Sequence, residues 1–242
     1  MDNKGKLYLI PAPLGPESVE TIPAYVVDII HRLEVFIAER AKTARHFIKK
    51  TGPVKPFSDL TFLELNKRTP VAEMNTFLDA ARLSGKDIGL LSEAGCPGVA
   101  DPGAAIVSLA HEWGIEVVPL VGPSAILLVL MASGLNGQHF CFQGYLPPKK
   151  HDLAKQLRRL EQESARTGAT QIFIETPYRN HQVLDQAFQV LQDDTRFCIG
   201  LDLTNPNAFV QTQSIAQWKK RVLPEVHKRP AIFCLSSRSG HP

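Results

Sequence analysis

Cysteine is scarce in this 242-residue chain, and its four copies lie far apart: Cys96, Cys141, Cys198 and Cys234. No CxxC pair and no HxxxH pair occurs, so the common spacings of zinc ligands are missing. All but Cys96 lie in apolar runs, where a cysteine is usually a small core residue. We therefore expect no metal site.

Three glycine-rich fingerprints are also absent. The chain has no GxGxxG, which argues against the usual dinucleotide fold and the commonest Rossmann-type methyltransferases. It has no GxxxxGK[ST] for a phosphate-binding P-loop and no GxSxG for a hydrolase nucleophile. A ligand must therefore be held by turns of another kind.

Long apolar runs are missing as well. The longest, residues 125–132, is far shorter than the ~20 residues that cross a bilayer. No apolar leader with a cleavage site opens the chain, so we expect no signal peptide, no membrane partner and a cytoplasmic location. With 44% hydrophobic and 21% charged residues, the composition is that of a globular protein. The net charge of +3 permits an RNA partner without requiring one.

Strand-like and helix-like runs alternate along most of the chain. Apolar strands are predicted at 7–10, 35–38, 88–91 and 171–174, for example, with helices between them that begin at Pro and end at Gly. One such helix is predicted from Thr69 to Gly85. The alternation predicts an α/β fold with largely parallel sheets. A Pro/Gly turn near residue 120 suggests two domains, 1–119 and 120–242.

Four turns follow predicted strands, where open α/β sheets bind their ligands. The richest is SEAGCPGVADPG, residues 92–103, in which glycine admits a ligand to the backbone and proline stiffens the loop. Asp101 is also a plausible helix N-cap there. The other three turns are VGPSA at 121–125, ETPYR at 175–179, and Glu39 with Arg40.

These turns resemble those of the tetrapyrrole (corrin/porphyrin) methylase superfamily. LYLIPAPLG from Leu7 resembles its opening strand, and residues 92–103 resemble its Ser-Asp-Ala-Gly-Thr-Pro and Ser-Asp-Pro-Gly stretch. VGPSA and ETPYR resemble its Pro-Gly-Pro-Ser-Ala and Glu-Ser-Pro-His-Arg motifs. The most similar branch is that of the 16S rRNA (cytidine-2′-O)-methyltransferases.

The resemblance implies two α/β domains, a homodimer, and S-adenosyl-L-methionine bound in a cleft between the domains. Carried over by position, it implies a set of cofactor contacts: Pro13, Glu93, Ala94, Gly95, Asp101, Ser124, Ala125, Leu203 and Ala231. The chain departs from the family at other charged positions. Glu39 is followed by Arg40-Ala41-Lys42 instead of Asp-Thr-Arg, and residues 201–205 read LDLTN instead of Arg-Glu-Leu-Thr-Lys.

Methyl transfer to a ribose hydroxyl depends on positioning and on a nearby base. By location, the catalytic candidates are Glu39 and Glu175 as bases, with Arg179 as a phosphate-binding guanidinium. Lys42 and Arg45 are the candidate substrate-binding residues, although each of these side chains is equally able to form a structural ion pair. A second basic cluster lies at Lys149–His151, Lys155, Arg158 and Arg159.

Three functions remain open at this point. The first is 2′-O-methylation of ribosomal RNA, free or within the small ribosomal subunit. The second is methylation of a small molecule or tetrapyrrole. The third is a homologue that binds the cofactor without transferring the methyl group.

Overall fold

The computed structural model describes residues 4–16, 18–53, 55–66 and 68–237. The chain divides into two compact units, Met1–Ser124 and Ala125–Pro242, five residues beyond the predicted boundary. The first unit contains ten elements: β1 Leu7–Ile10, α1 Ala24–Arg32, β2 Val35–Ala38, α2 Ala41–Lys50, β3 Thr61–Glu64, α3 Val71–Phe77, α4 Asp79–Ser84, β4 Ile88–Leu91, α5 Gly103–Glu112 and β5 Val117–Pro119. Short 3₁₀ turns lie at Val19–Thr21 and Phe57–Asp59.

The sheet of the first unit is parallel throughout, in the order β3-β2-β4-β1-β5. Its central strands β2 and β4 are buried at every position, as expected for continuous apolar runs covered on both faces. The edge strand β3 was not predicted. Its ends, Thr61 and Glu64, are exposed and break the apolar pattern. The helix predicted from Thr69 to Gly85 is two helices, α3 and α4, separated at Leu78.

The second unit also has one sheet, in the order β6-β7-β10-β8-β9. Only β6 and β7 pair in parallel, and the other three pairings are antiparallel. The predicted α/β class is confirmed, but this sheet is mixed with mainly antiparallel pairs. The elements are α6 Ala125–Ser133, β6 Phe140–Tyr145, α7 Lys150–Thr167, β7 Thr170–Glu175, α8 Asn180–Val190, β8 Arg196–Leu201, β9 Phe209–Ser214, α9 Ile215–Trp218 and β10 Ala231–Ser236.

Each unit has its own apolar core on both faces of its sheet. In the second unit, one face packs Phe173, Phe197 and Phe233 against α7 and α8. The opposite face packs Val129 of α6 against Ile172, Ile232 and their neighbours. No helix in the described ranges is long and apolar enough to cross a membrane.

Candidate functional site

The carboxyl ends of β1, β2 and β4 lie side by side, because the strands of the first sheet are parallel and adjacent. The structure therefore brings together Pro13 after β1, Glu39 after β2 and residues 92–103 after β4. This is the edge at which open α/β sheets bind ligands. Sequence positions more than 80 residues apart thus form one candidate site within the first unit.

Two of these turns are joined by backbone hydrogen bonds. Ala12 and Gly95 exchange both N–H···O=C bonds, each 2.9 Å long. Gly95 has φ +72°, a conformation that an L residue adopts only at a cost. An added Cβ would also lie 3.3 Å from Leu14 Cδ2. Glycine is thus needed at this position for the fold of the turn, whatever ligand the turn holds.

The turn at 92–103 is held by its own side chains. Ser92 Oγ donates to the Gly95 carbonyl at 2.8 Å. Asp101 Oδ1 accepts N–H bonds from Gly98 at 2.9 Å and from Gly103 at 2.7 Å, which closes the loop onto the start of α5. Ala100 between them has φ +61°, a strained conformation for a residue with a side chain.

The second oxygen of Asp101 is buried and has no hydrogen-bond partner in the described structure. Asp101 and Glu39 line the same small cavity of about 10 Å³, together with Ser92. Burial raises the pKa of the Asp101 carboxyl, the two N–H bonds oppose that shift, and the nearby Glu39 charge adds to it. A pair of carboxylates at a strand edge is an arrangement that can hold a proton or face a cationic group.

The backbone at Glu93 and Ala94 is available to a ligand. Within the described ranges, neither residue's N–H nor C=O makes a hydrogen bond, whereas the Gly95 backbone bonds to Ala12 and the Ser92 hydroxyl donates to the Gly95 carbonyl. Nearby, Gly122 packs against Pro11, and an added Cβ would lie 2.2 Å from Pro11 Cγ. The site therefore offers free amides and carbonyls together with carboxylates. Such groups fit the ribose hydroxyls, amino acid group and positive sulfonium of S-adenosylmethionine.

The predicted substrate-binding residues lie in the first turns of α2. Glu64, the last residue of β3, caps this helix by accepting the Ala41 N–H at 2.8 Å. Lys42 is exposed. Arg45 is exposed too, but its guanidinium lies 4.8 Å from the centre of the Phe62 ring, so part of it is held against β3.

Sequence reasoning missed a pocket of about 260 Å³ beside the same turns. Pro13 and Glu93 line it, and α2 contributes Thr43, His46 and Lys50. Lys50 Nζ donates to the Pro16 carbonyl at 2.6 Å and closes one side. The spacing of these three α2 residues places them on one helix face, but nothing in the sequence indicates which loop that face meets.

In the second unit, Glu175 is the last residue of β7 and its side chain is fully buried. One oxygen accepts from the Thr176 N–H at 2.7 Å and from its hydroxyl, and the other lies 3.0 Å from Arg179. Arg179 also donates to the Pro147 carbonyl at 3.0 Å. Glu175 and Arg179, two of the three predicted catalytic residues, thus form a structural ion pair with each other. Their catalytic roles remain predictions.

Two of the remaining predicted contacts, Leu203 and Ala231, lie near the end of β7 that carries Glu175. The other two, Ser124 and Ala125, lie at the boundary between the two units in the sequence. Ala231 begins β10 and pairs with Glu175 and with Leu201, so it lies near the turn that carries Leu203. Ser124 ends the first unit, and Ala125 begins α6.

The turn after β8 contains a feature that sequence reasoning did not find. Thr204 has φ +72° and a buried hydroxyl without a partner among the described residues. Asp202 in the same turn has φ +46° and pairs with Arg229. Strained backbone and an unpaired hydroxyl are typical of binding turns. No group of three His, Cys, Asp or Glu side chains in the described chain is arranged to hold a metal.

The fold is that of a two-unit α/β methyltransferase. The crystal structure of the methyltransferase CobJ matches with a TM-score of 0.62 at 20% identity, covering 96% of this chain and 94% of that one. The cobalt precorrin-4 methyltransferase CbiF matches with a TM-score of 0.57 at 14% identity, covering 96% and 94%. At these identities the likeness concerns the fold alone.

Residues 6–217 match the family model of the tetrapyrrole (corrin/porphyrin) methylases. The chain belongs to this family, which confirms the predicted membership. Two relatives are proteins named ribosomal RNA small subunit methyltransferase I. The one from Halalkalibacterium halodurans is 32% identical over 78% of this chain and 62% of its own length. The one from Vibrio cholerae is 30% identical over 87% and 69%. The chain thus spans less than two thirds of the first of these relatives.

Proposed function

We propose that this chain is an S-adenosylmethionine-dependent methyltransferase that methylates a ribose 2′-oxygen in small-subunit ribosomal RNA. The observation that carries the proposal is the joined pair of turns at Ala12 and Gly95, which presents the free backbone groups of Glu93 and Ala94. Membership of the tetrapyrrole methylase family supports S-adenosylmethionine as the methyl donor. The relatives' names support the acceptor.

The candidate donor contacts are those that the family resemblance implies. In the first unit these are Pro13, Glu93, Ala94, Gly95, Asp101 and Ser124, and in the second unit Ala125, Leu203 and Ala231. When bound, the donor supplies a methyl group on a positively charged sulfur. The free amides of Glu93 and Ala94 suit a carboxylate, and the carboxylates of Glu39 and Asp101 favour a cation near them.

Glu39 is the base that we propose for the acceptor hydroxyl. Its side chain is partly exposed at the end of β2, whereas the Glu175 side chain is fully buried. One oxygen of Glu175 accepts from Thr176, and the other is ion-paired with Arg179 at 3.0 Å without a hydrogen bond. The ribose hydroxyl would give its proton to Glu39 as its oxygen forms the new bond to the methyl carbon. The bond between that carbon and the donor sulfur would break, and the donor would leave as its neutral, demethylated thioether. Such a base contributes about 10²–10⁴-fold to the rate.

The proposal is tested by Glu39→Gln, with the exposed Glu73→Gln on α3 as the matched control. We expect Glu39→Gln to keep its affinity for the demethylated product, whose sulfur is uncharged, as measured by calorimetry. It should lose about 10²–10⁴-fold in transfer of a labelled methyl group to small subunits. Glu73→Gln should behave as the wild type. Absence of any heat with the donor or its demethylated product, at millimolar concentration, would exclude the proposed cofactor.

Lys42 is the cation of α2 that we propose to contact the substrate phosphate. It follows the Glu39 turn, and no ion pair holds it within the described structure. Lys42→Glu should weaken RNA binding without changing donor affinity. Lys49 lies two turns further along α2, about 10 Å from Lys42, so Lys49→Glu should weaken RNA binding less. Arg45→Glu is a poorer probe because it also removes the contact with Phe62.

A small-molecule acceptor is the second candidate, favoured by the 260 Å³ pocket beside Pro13 and Glu93. Its size approaches that of sites for small ligands. Labelled methyl transfer should therefore be measured on small subunits, free RNA and tetrapyrroles in parallel. Transfer to a small molecule alone would establish this candidate. Donor binding with no transfer to any acceptor would indicate a non-catalytic binding protein.

We also propose that the chain acts as a homodimer in the cytoplasm, where its ribosomal substrate would be found. Its second unit exposes apolar side chains on α6 and β6, and β6 is an edge strand of its sheet. Such a surface is typical of an interface.

A further inference from the structure

A basic groove of about 500 Å³ runs along α7, and its lining includes Pro147, whose carbonyl accepts a hydrogen bond from Arg179. Lys155, Arg158, Arg159 and Gln162 line it at spacings of three, four and seven residues, so they share one helix face. The opposite face carries Leu153, Leu157 and Leu160, which are buried in the core. Packing of these leucines in the core thus fixes the orientation of α7 about its own axis, so that the cationic face is exposed to solvent.

The cations of this groove have no carboxylate partner in the described structure. Lys155 and Arg158 make no ion pair there, and Arg159 donates only to the neutral Gln156 at 3.1 Å. The nearby carboxylate of Asp152 lies 3.4 Å from His151 instead. Further along the same helix, Arg166 is paired with Glu163.

This distribution has an energetic cost. Lys155 is three and four residues from Arg158 and Arg159, and like charges at these spacings destabilise a helix. Lys149 and Lys150 at the start of α7 add two more exposed cations. A polyanion bound in the groove would convert this repulsion into attraction.

The geometry suits a chain of phosphates. The stripe from Lys155 to Gln162 spans about 10 Å, and one nucleic acid strand carries a charge about every 3.4 Å. A guanidinium grips a phosphate with two parallel hydrogen bonds, and the groove has two adjacent arginines. Gln156 and Gln162 add neutral donors. No exposed large apolar side chain of the described residues lies within the groove lining, as insertion into lipid would need.

We propose that the α7 groove binds the phosphate backbone of the RNA substrate. This inference rests on the proposed RNA acceptor. The groove lining combines three cations with the carboxylate of Asp152, and its phosphate contacts contribute affinity that does not depend on base sequence. It would anchor the flanking strand.

The test compares the neutral triple variant Lys155→Gln/Arg158→Gln/Arg159→Gln with Arg166→Gln, whose guanidinium is already paired. Affinity for small-subunit RNA and for an unrelated RNA of equal length is measured over a series of salt concentrations. Each lost contact should lower the slope of log affinity against log salt by about 0.7–0.9, so the slope of the triple variant should be lower by about 2.1–2.7. Both RNAs should be affected equally, and Arg166→Gln should match the wild type. All four positions are exposed, so circular dichroism should show unchanged folding.

Two failures are distinguishable. If the wild type methylates small subunits and the triple variant keeps its affinity and salt slope, the groove is only a solvated helix face and this inference is overturned. A triple variant that loses affinity for one RNA sequence alone overturns it as well. If the wild type neither binds RNA nor transfers a methyl group to subunits, the proposed function itself fails.

Discussion

Asp101 shows how one side chain can serve the turn that carries it. Sequence reasoning predicted a cofactor contact with an N-cap as the alternative. In the structure, Oδ1 is bonded to the Gly98 and Gly103 amides, and only Oδ2 remains without a partner. A contribution of Asp101 to binding would therefore come through the shape of the turn and through Oδ2.

The raised pKa of Asp101 predicts a pH dependence of stability. Because the folded-state pKa lies above the unfolded value, the folded protein binds this proton more tightly. The free energy of unfolding contributed by Asp101 is therefore largest at low pH. It falls as pH rises from the usual range of an aspartate through the folded-state pKa. Asp101→Asn keeps the Oδ1 acceptor and has no proton to lose.

We therefore expect the wild type to lose stability relative to Asp101→Asn as pH rises above the usual pKa of an aspartate, about 4. Urea unfolding of both proteins at several pH values measures this difference. Parallel pH profiles for the two proteins would contradict it.

Gly122 yields a second prediction at the residue scale. A methyl group there would lie 2.2–2.4 Å from Pro11, so the turns after β1 and β5 must separate. Gly122→Ala should cost about 1–3 kcal/mol in the free energy of unfolding and weaken donor binding. Gly137→Ala is the matched control, since a methyl group at that position meets no atom within 4 Å. Equal stability of the two variants would refute the packing argument.

At the scale of elements, α7 is attached to the turn between α8 and β8 by a buried carboxylate. Glu161 accepts hydrogen bonds from the Gln192 N–H at 2.8 Å and from the buried Thr195 hydroxyl. Leu153, Leu157 and Leu160 of the same helix lie in the core. The helix is thus fixed by packing along its length and by polar contacts towards its end, including those of Glu161.

Glu161→Ala should lower the free energy of unfolding by about 1–3 kcal/mol, because it leaves two donors without a partner. Glu163→Ala, on the same helix, removes only an exposed ion pair with Arg166 and should cost less than about 1 kcal/mol. Chemical denaturation compares the two, and Glu161→Gln should recover part of the loss. If Glu163→Ala lowers the free energy of unfolding as much as Glu161→Ala does, the buried hydrogen bonds of Glu161 make no special contribution to stability.

At the scale of the whole molecule, the apolar surface of the second unit predicts self-association. Leu127 and Met131, one turn apart on α6, are 53% and 79% exposed, and Tyr145 of β6 is 58% exposed. A helix that is apolar on all sides is normally buried on all sides. A second copy of the chain would cover this face in the proposed homodimer.

Met131→Glu should therefore shift the molar mass measured by light scattering from that of a dimer to that of a monomer at micromolar concentration. Val222→Glu, at a position that is 98% exposed, is the matched control and should leave the mass unchanged. A wild type that is monomeric at that concentration would refute the proposed dimer.

Much of the architecture was predicted from local patterns. Buried strands such as 35–38 and 88–91 are continuous apolar runs, and Pro and Gly mark most helix ends. The edge strand β3 and the break at Leu78 were not predicted, because each depends on neighbours that are distant in sequence. The mainly antiparallel second sheet was missed for the same reason, since strand direction depends on how the chain returns.

The sequence by itself determined the family, the α/β class and the turns that carry the candidate site, because these are short motifs with their own local geometry. Only the tertiary structure decided what each charged side chain does. Glu175 and Arg179 pair with each other, Arg45 lies over Phe62, and Asp101 shares a cavity with Glu39. The partner of a charge is set by which strands are adjacent and how helices are rotated by their cores. The residues that neighbour a charged side chain in sequence do not reveal which strands and helices will surround it.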